Sequence, residues 1–458
     1  MILNDVFERF VQESPLSVMA RAVLENALAP SVVDALFEDV AERQYTRELL
    51  FSDVVGLMGM VVCKIRPSIN AAYKKHAETL GVTRKAVYNK INGLEPPLGA
   101  ALVRHTAAVV APILEAMGGR RSSWLPGYRV KILDGSHLPG TEHRLKPLRT
   151  ERAGALPGQA LVVLDPELML VMDAVPCEDG HAQERSMTAE VLETVRPGDL
   201  WVGDRNFCTT ALLFGIVARG GSFLIRQHGS TLTWEAVGPR QPQGRCATGA
   251  VFEQSVRLTG PGNQQLVVRR VTVELDVPTR DGDREISILT NLPEAVADAV
   301  AVTDFYRKRW TLETAFQEIE ATLHGEINAL GYPRAALFAL CVALVAYNVM
   351  SAIKGALRSV HGTDVVDEEV SGSDLAEEVA ATTRGMLIAI PQDEWTVFHG
   401  LSPSRMGQVL RDLAKRVRLS HYRKQPRGRK KPKPLKSSGY EKKHLSTAKL
   451  LKDQQPRT

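Results

Sequence analysis

Two aspartates and one glutamate stand at positions where a folded chain can bring carboxylates together for metal chemistry. Asp134 follows the short apolar run Arg129-Val130-Lys131-Ile132-Leu133 and precedes Gly135-Ser136-His137-Leu138, so its carboxylate should emerge where a strand leaves its sheet. Asp204 repeats the pattern, after Leu200-Trp201-Val202-Gly203 and before Arg205-Asn206-Phe207. Taken singly, either aspartate is equally explained as a helix cap or a turn residue. The third element is a helix expected to start near Thr303, with Tyr306-Arg307-Lys308-Arg309-Trp310-Thr311-Leu312-Glu313. At about 100° per residue, Tyr306, Arg309, Glu313, Gln317, Glu320 and His324 share one polar face. Spacings of three and four residues also allow ordinary Arg–Glu pairing along a solvated helix. Together, two strand-end carboxylates and one helical carboxylate match the needs of two-metal phosphoryl transfer. Hard Mg²⁺ ions take oxygen ligands, and a pair of them can activate an attacking hydroxyl and steady the leaving oxygen of a phosphodiester.

These three blocks, in this order, resemble those of bacterial insertion-sequence transposases of the DDE superfamily. The subgroup is the IS-four type, which has an RNase H-like core and a Tyr-Arg-Glu-Lys signature. The resemblance implies that Asp134, Asp204 and Glu313 are catalytic and bind two Mg²⁺ ions, with Mn²⁺ able to substitute. It also implies that Tyr306 and Arg309 contact DNA phosphates near the cleaved end. Trp310 beside them reads equally well as a core residue. The signature lysine is missing: its place, two turns after Glu313, holds Glu320, with His324 one turn further as a candidate replacement cation. The implied chemistry is metal-dependent nicking at the element's ends followed by strand transfer into a target, often through a hairpin. Its implied partners are double-stranded DNA, as terminal inverted repeats and as target, and a second copy in a DNA-bridged homodimer.

The elements that must position these residues follow from the patterning. Residues 1–125 read as a helical, DNA-binding N-terminal domain, with apolar periodicity over Val18 to Leu28, Val32 to Arg43 and Leu49 to Lys64. Within it, residues 71–91 resemble a helix-turn-helix. One helix ends at Gly81, which reaches positive φ cheaply, and Thr83 caps a second whose Arg84, Lys85, Asn89 and Lys90 would face a groove or phosphates. Two helices joined at a glycine are also common in proteins that never touch DNA. From Tyr128 the order is β-β-β-α-β-α-β: strands at 129–134, 160–164 and 168–175, a helix at 182–195, a strand at 200–203, a helix at 209–218 and a strand at 222–226. The expected fold is α/β, an RNase H-like mixed-sheet core over 126–228 and 296–362. A β-rich insertion at 229–295 interrupts it, and a helical region with a basic tail follows over 363–458.

The chain has 458 residues with a net charge of +5, but the charge is uneven. From Arg411 onward there are 17 Lys/Arg against three acids, a net of +14, leaving −9 for residues 1–410. The tail around Arg427 and Lys430 is therefore expected to neutralise DNA phosphates, the alternative being a solvated tail without a partner. An acidic linker is expected from Asp364 to Glu378. Five scattered cysteines form no C-x-x-C pair and read as reduced thiols, and the N-terminus has no secretory pattern, so a cytoplasmic, nucleoid-associated protein is expected. The apolar run Ala335 to Met350 is shorter than the roughly 20 residues a bilayer requires and is expected to be a core helix, with no membrane partner. His137 and His181 are expected to be structural or solvent-facing, not zinc ligands. Two other readings remain open at this point: a nuclease that cuts without joining, and a decayed transposase that binds DNA without cutting.

Overall fold

The structure is a computed structural model. It describes all residues except 1–2, 45–47, 151, 230–231, 280–281, 324–328, 426–443 and 454–458, and only the backbone of 318 and 320–322.

Helices fill the first part of the chain: α1 (Asp5–Glu13), α2 (Pro15–Ala27), α3 (Pro30–Val40), α4 (Phe51–Val62), α5 (Ile69–Leu80), α6 (Arg84–Gly93) and α7 (Pro96–Ala116). Their limits have local causes. Proline occupies the first turn of α2, α3 and α7, where its missing N–H costs nothing. Gly81 ends α5 at φ +63°, and the Thr83 hydroxyl accepts from the Ala86 N–H to start α6.

The strands β1 (Arg129–His137), β2 (Gly154–Leu156), β3 (Gln159–Asp165), β4 (Leu170–Cys177), β5 (Asp199–Gly203) and β6 (Ser222–Arg226) enclose the helices α8 (Thr188–Thr194) and α9 (Thr210–Ala218). The expected order is present with one addition, the short β2, which pairs outside the main sheet, and the helix expected over 182–195 is a 3₁₀ turn at Glu184–Met187 followed by the short α8. Next come β7 (Trp234–Ala236), β8 (Gln241–Cys246), β9 (Gly249–Thr259), β10 (Gln265–Leu275) and β11 (Glu285–Thr290). These strands do not make a sheet of their own. One sheet runs β4-β3-β1-β5-β6-β11-β10-β9-β7, with β8 on β9, and β11 pairs antiparallel with β6. Its centre, β1-β5-β6, is parallel.

Alternation along these strands supplies two cores. Val130, Ile132, Val162, Leu200, Val202 and Leu224 pack towards the N-terminal helices and a later long helix. Leu133, Leu161, Trp201, Phe223 and Ile225 pack beneath α8 and α9. A strand buried on both faces needs continuous apolar sequence, which β5 has.

The catalytic-candidate glutamate comes after α10 (Ala299–Arg307), a 3₁₀ turn at Lys308–Trp310, and α11 (Thr311–Thr322). The single helix expected from Thr303 thus begins earlier and is tightened in its middle. The central helix α12 (Pro333–His361) has 29 residues, which corrects the expected shortness of its apolar run. By length and composition, α12 and α7 are each long enough to cross a bilayer. The apolar window of α12 is wholly buried inside the protein, as expected of a core helix. Asn348, fully buried on α12, accepts from the Val171 N–H at 2.8 Å and donates to the Val171 carbonyl at 2.9 Å, acting as a strand partner for the open edge of β4.

The acidic stretch after 363 is not an extended linker but α13 (Thr363–Glu369) and the start of α14 (Gly372–Ala389), which bury Val366 and Leu375. A third core joins α1 and α2 to this region and to α15 (Pro403–Ala414). After the basic stretch the chain returns as β12 (His444–Ser446), parallel to β2, and ends its described part in α16 (Thr447–Asp453).

Candidate active site

Register brings the two aspartates together. The parallel pairing of β1 with β5 stops at Leu133 opposite Gly203, so Asp134 and Asp204 are the next residues on each strand. Asp134 does not end its strand, as had been expected: β1 continues to His137 along β3 alone. Asp204 lies just past β5, where its Oδ1 accepts from the Asn206 N–H at 2.7 Å and caps a 3₁₀ turn.

The third element is held over the sheet by Arg269 of β10. Its guanidinium pairs with Glu253 at 2.7 Å and donates to the carbonyls of Leu292 (3.1 Å) and Ala297 (2.7 Å), fixing the chain that leads into α10. Asp298 then caps α10 by accepting from the Ala301 N–H at 2.8 Å. The 3₁₀ turn at 308–310 divides its side chains. Lys308 and Trp310 point outward, while Arg309 is buried and reaches the acids.

Arg309 is the hub. Its Nη1 donates to Asp134 Oδ2 at 2.6 Å and its Nη2 to Glu313 Oε1 at 3.3 Å. Burial works against the Arg309 charge, but the fields of Asp134, Tyr306, Asp204 and Glu313 outweigh it and raise its pKa. Burial pushes the Asp134 carboxyl up to about 6; Arg309 opposes this, and the neighbouring carboxylates of Asp204 and Glu184 add to it. Burial also raises the Tyr306 phenol, against the fields of Arg309 and Arg226.

Glu184 is a member of this cluster that the sequence reading missed. Its Oε2 accepts from Asn206 Nδ2 at 3.1 Å, and its Oε1 lies 4.0 Å from His137 Nδ1. It packs so closely on β1 that a Cβ at position 135 would sit 1.9 Å from Oε1, so Gly135 is required for the approach. No spacing rule marks Glu184. Its only signal is an acid in the turn before α8.

The donor set suits a hard divalent ion, since Asp134, Asp204 and Glu313 offer only oxygen. Among the described residues, however, no three His, Cys, Asp or Glu side chains are close enough to share one ion. The positive charge between Asp134 and Glu313 comes from Arg309, whose buried Nε has no hydrogen-bond partner among the described residues. An ion held by both carboxylates would have to take the place of the guanidinium between them.

The other expected contacts lie elsewhere. Arg84 and Lys85 are exposed on α6, which packs on α4, α5 and α12. Lys90 does not face outward as expected: its ammonium stands 4.1 Å from the Phe37 ring, and burial lowers its pKa. Trp310 is 62% exposed, which removes the core reading for it. Arg427, Lys430 and His324 fall outside the described residues, as does the Glu320 side chain.

No curated protein matches the chain. Residues 125–349, the segment that carries Asp134, Asp204, Tyr306, Arg309 and Glu313, match the family model described as a transposase DDE domain, which supports reading the chain as a DDE transposase.

Proposed function

We propose that this protein is a cut-and-paste DNA transposase of the IS-four type, cleaving the ends of an insertion sequence and joining them to target DNA. The observation that carries the reading is the pairing of Arg309 with Asp134 of β1 and Glu313 of α11, beside Asp204 at the end of the adjacent β5, within the segment that matches the DDE domain. Asp134, Asp204 and Glu313 would hold the divalent ions, Mg²⁺ or Mn²⁺. When bound, these supply Lewis-acid activation of water or a 3′-hydroxyl and neutralise the phosphodiester oxygens. The chain's own groups do the rest. Arg309, once off the carboxylates, presents a guanidinium fork that suits a phosphate, and Tyr306 adds a phenol donor beside it. Asn206 and Glu184 brace the Asp204 turn against β1. The exposed Arg84 and Lys85, with the basic tail around Arg427 and Lys430, supply further phosphate contacts, and bringing two ends together calls for a homodimer on DNA.

The test uses the DNA flanking the gene as the substrate. A marker bounded by those flanks is incubated with the protein and Mg²⁺, beside Asp134→Asn, Asp204→Asn and Glu313→Gln. Excision and joining that all three variants abolish is the expected result. Cutting without joining would replace the transposase with a nuclease, and end binding without cutting under any divalent metal would leave a DNA-binding protein.

A further inference from the structure

The blocks Asp134-Gly135-Ser136-His137 and Gly203-Asp204-Arg205-Asn206 hold more than the two aspartates. Side chains alternate along β1, whose pairing with β3 is unbroken from Ile132 to His137. Val130 and Ile132 face the core that contains α12, and Asp134 continues that face towards Arg309. Leu133, and with it Gly135 and His137, faces the opposite core beneath α8 and α9. There the space that a side chain at position 135 would fill is taken by the Glu184 carboxylate. Strand β3 brings it there. Gln159, 1% exposed and paired with His137, donates from Nε2 to the carbonyls of Asp179 at 3.1 Å and of Ala182, which holds the loop that leads into Glu184. From this slot the Glu184 Oε2 accepts from Asn206 Nδ2 at 3.1 Å.

Asp204 needs such a tie. The ladder between β1 and β5 stops one residue before Asp134 and Asp204, so backbone pairing does not fix the distance between the two carboxylates. Phe207, buried in the core beneath α9, holds the far end of the 3₁₀ turn. At the near end Asn206 does two things at once. Its N–H donates to Asp204 Oδ1 at 2.7 Å, and its side chain donates to Glu184, so one residue orients the aspartate and fastens the turn to β1. Carboxylates that share an ion must stand at a fixed separation, and it is the groups behind them that orient them. We propose that Glu184 is a positioning residue: from the face of the sheet opposite Arg309 it sets the separation of Asp134 and Asp204, and with it the affinity for a divalent ion, without touching the ion or the DNA. The inference rests on the assignment of Asp134 and Asp204 as ion ligands.

The experiment measures Mn²⁺ binding to the full chain without DNA, by the loss of the free-ion electron paramagnetic resonance signal, so that no turnover enters. The binding that Asp134→Asn and Asp204→Asn remove defines the site being read. Glu184→Ala and Asn206→Ala are each expected to weaken that binding about tenfold or more, the range for groups that orient metal ligands. The double variant should be no weaker than either single one, because both residues act through one hydrogen bond. Glu184→Gln, whose amide oxygen still accepts from Asn206, should keep most of the affinity. Gly135→Ala removes no polar group but expels the carboxylate, and should lower the affinity as Glu184→Ala does. Combining these two should restore thermal stability without restoring Mn²⁺ affinity, a separation that a merely structural role does not produce. Unchanged affinity in Glu184→Ala and Asn206→Ala would overturn the proposal. So would a loss in Glu184→Gln as large as in Glu184→Ala with Asn206→Ala neutral, which would make Glu184 an ion ligand. Wild-type affinity in Asp134→Asn and Asp204→Asn would instead overturn the ligand assignment, and this inference with it.

Discussion

At the scale of single residues, the site is an ion cluster whose charge balance depends on pH. Asp134 has its pKa raised to about 6 by burial, so folding favours its protonated form. That contribution is fully present below the ordinary aspartate pKa of about 3.9 and is lost as pH rises through about 6, a span worth about 3 kcal/mol. The stability of the wild type relative to Asp134→Asn should therefore fall between pH 4 and pH 7, read as the difference in Tm between the two. Replacing Arg309 by Met leaves Asp134 buried without its cation, and breaking such a pair costs about 3–5 kcal/mol at pH 8. That cost should shrink towards pH 5, as Asp134 takes up its proton. Glu320→Lys restores the charge of the signature position and is expected to leave cleavage working or to improve it; complete loss of cleavage would mean that Glu320 has a role of its own. Glu184 makes a further prediction. Gly135→Ala forces its carboxylate off Asn206, for about 1 kcal/mol of lost stability, and adding Glu184→Ala should recover most of the loss in urea unfolding.

At the scale of elements, stability turns on side chains that finish another element's hydrogen bonds. Asn348→Leu keeps the apolar volume of α12 but orphans both backbone groups of Val171, so urea unfolding should show a loss of about 2 kcal/mol or more. The same scale shows what could be read from the sequence. Strands β1, β3, β4, β5 and β6 were legible because each is a short apolar run bounded by turn residues. The α5–α6 pair was legible because Gly81 and Thr83 mark its joint by backbone chemistry alone. The pairing of Arg309 with Glu313 follows from a helical spacing of four, but the reach of Arg309 to Asp134 joins two segments far apart in sequence and was not legible. Three further features were not legible, each for its own reason. The tightening at 308–310 depends on Arg309 being drawn to acids far away in sequence. The sheet continues through 229–295 because β11 pairs with β6, and pairing partners are not written in either strand. The acids of 364–378 outnumber the apolar positions Val366, Val370 and Leu375, whose burial makes helices of that stretch.

At the scale of the whole molecule, the described parts of both terminal regions are structural. Charge alone places the start of the tail at Arg411, but Leu413, Ala414 and Val417 are buried in the core that holds α1 and α2. A cut there should lower Tm sharply and would say nothing about DNA contact. Neutralising Arg427 and Lys430 to Gln keeps both anchors, the Lys424 contact with the Glu369 carbonyl and the pairing of β12 with β2. End binding measured against salt should then show a slope smaller by about 1.8, at about 0.9 per duplex phosphate contact, and an unchanged slope would remove these two residues from the DNA contacts. The position of α1 has a consequence in time. Phe7 sits edge-on against Trp395 at 5.0 Å and against Phe398 at 6.1 Å between ring centres. A ribosome making about 5–20 residues per second reaches those rings roughly 20–80 s after it has made Phe7. Throughout that interval the first helix has α2 beside it but lacks the two rings that close over Phe7, so a nascent chain halted before residue 398 leaves part of that apolar surface open.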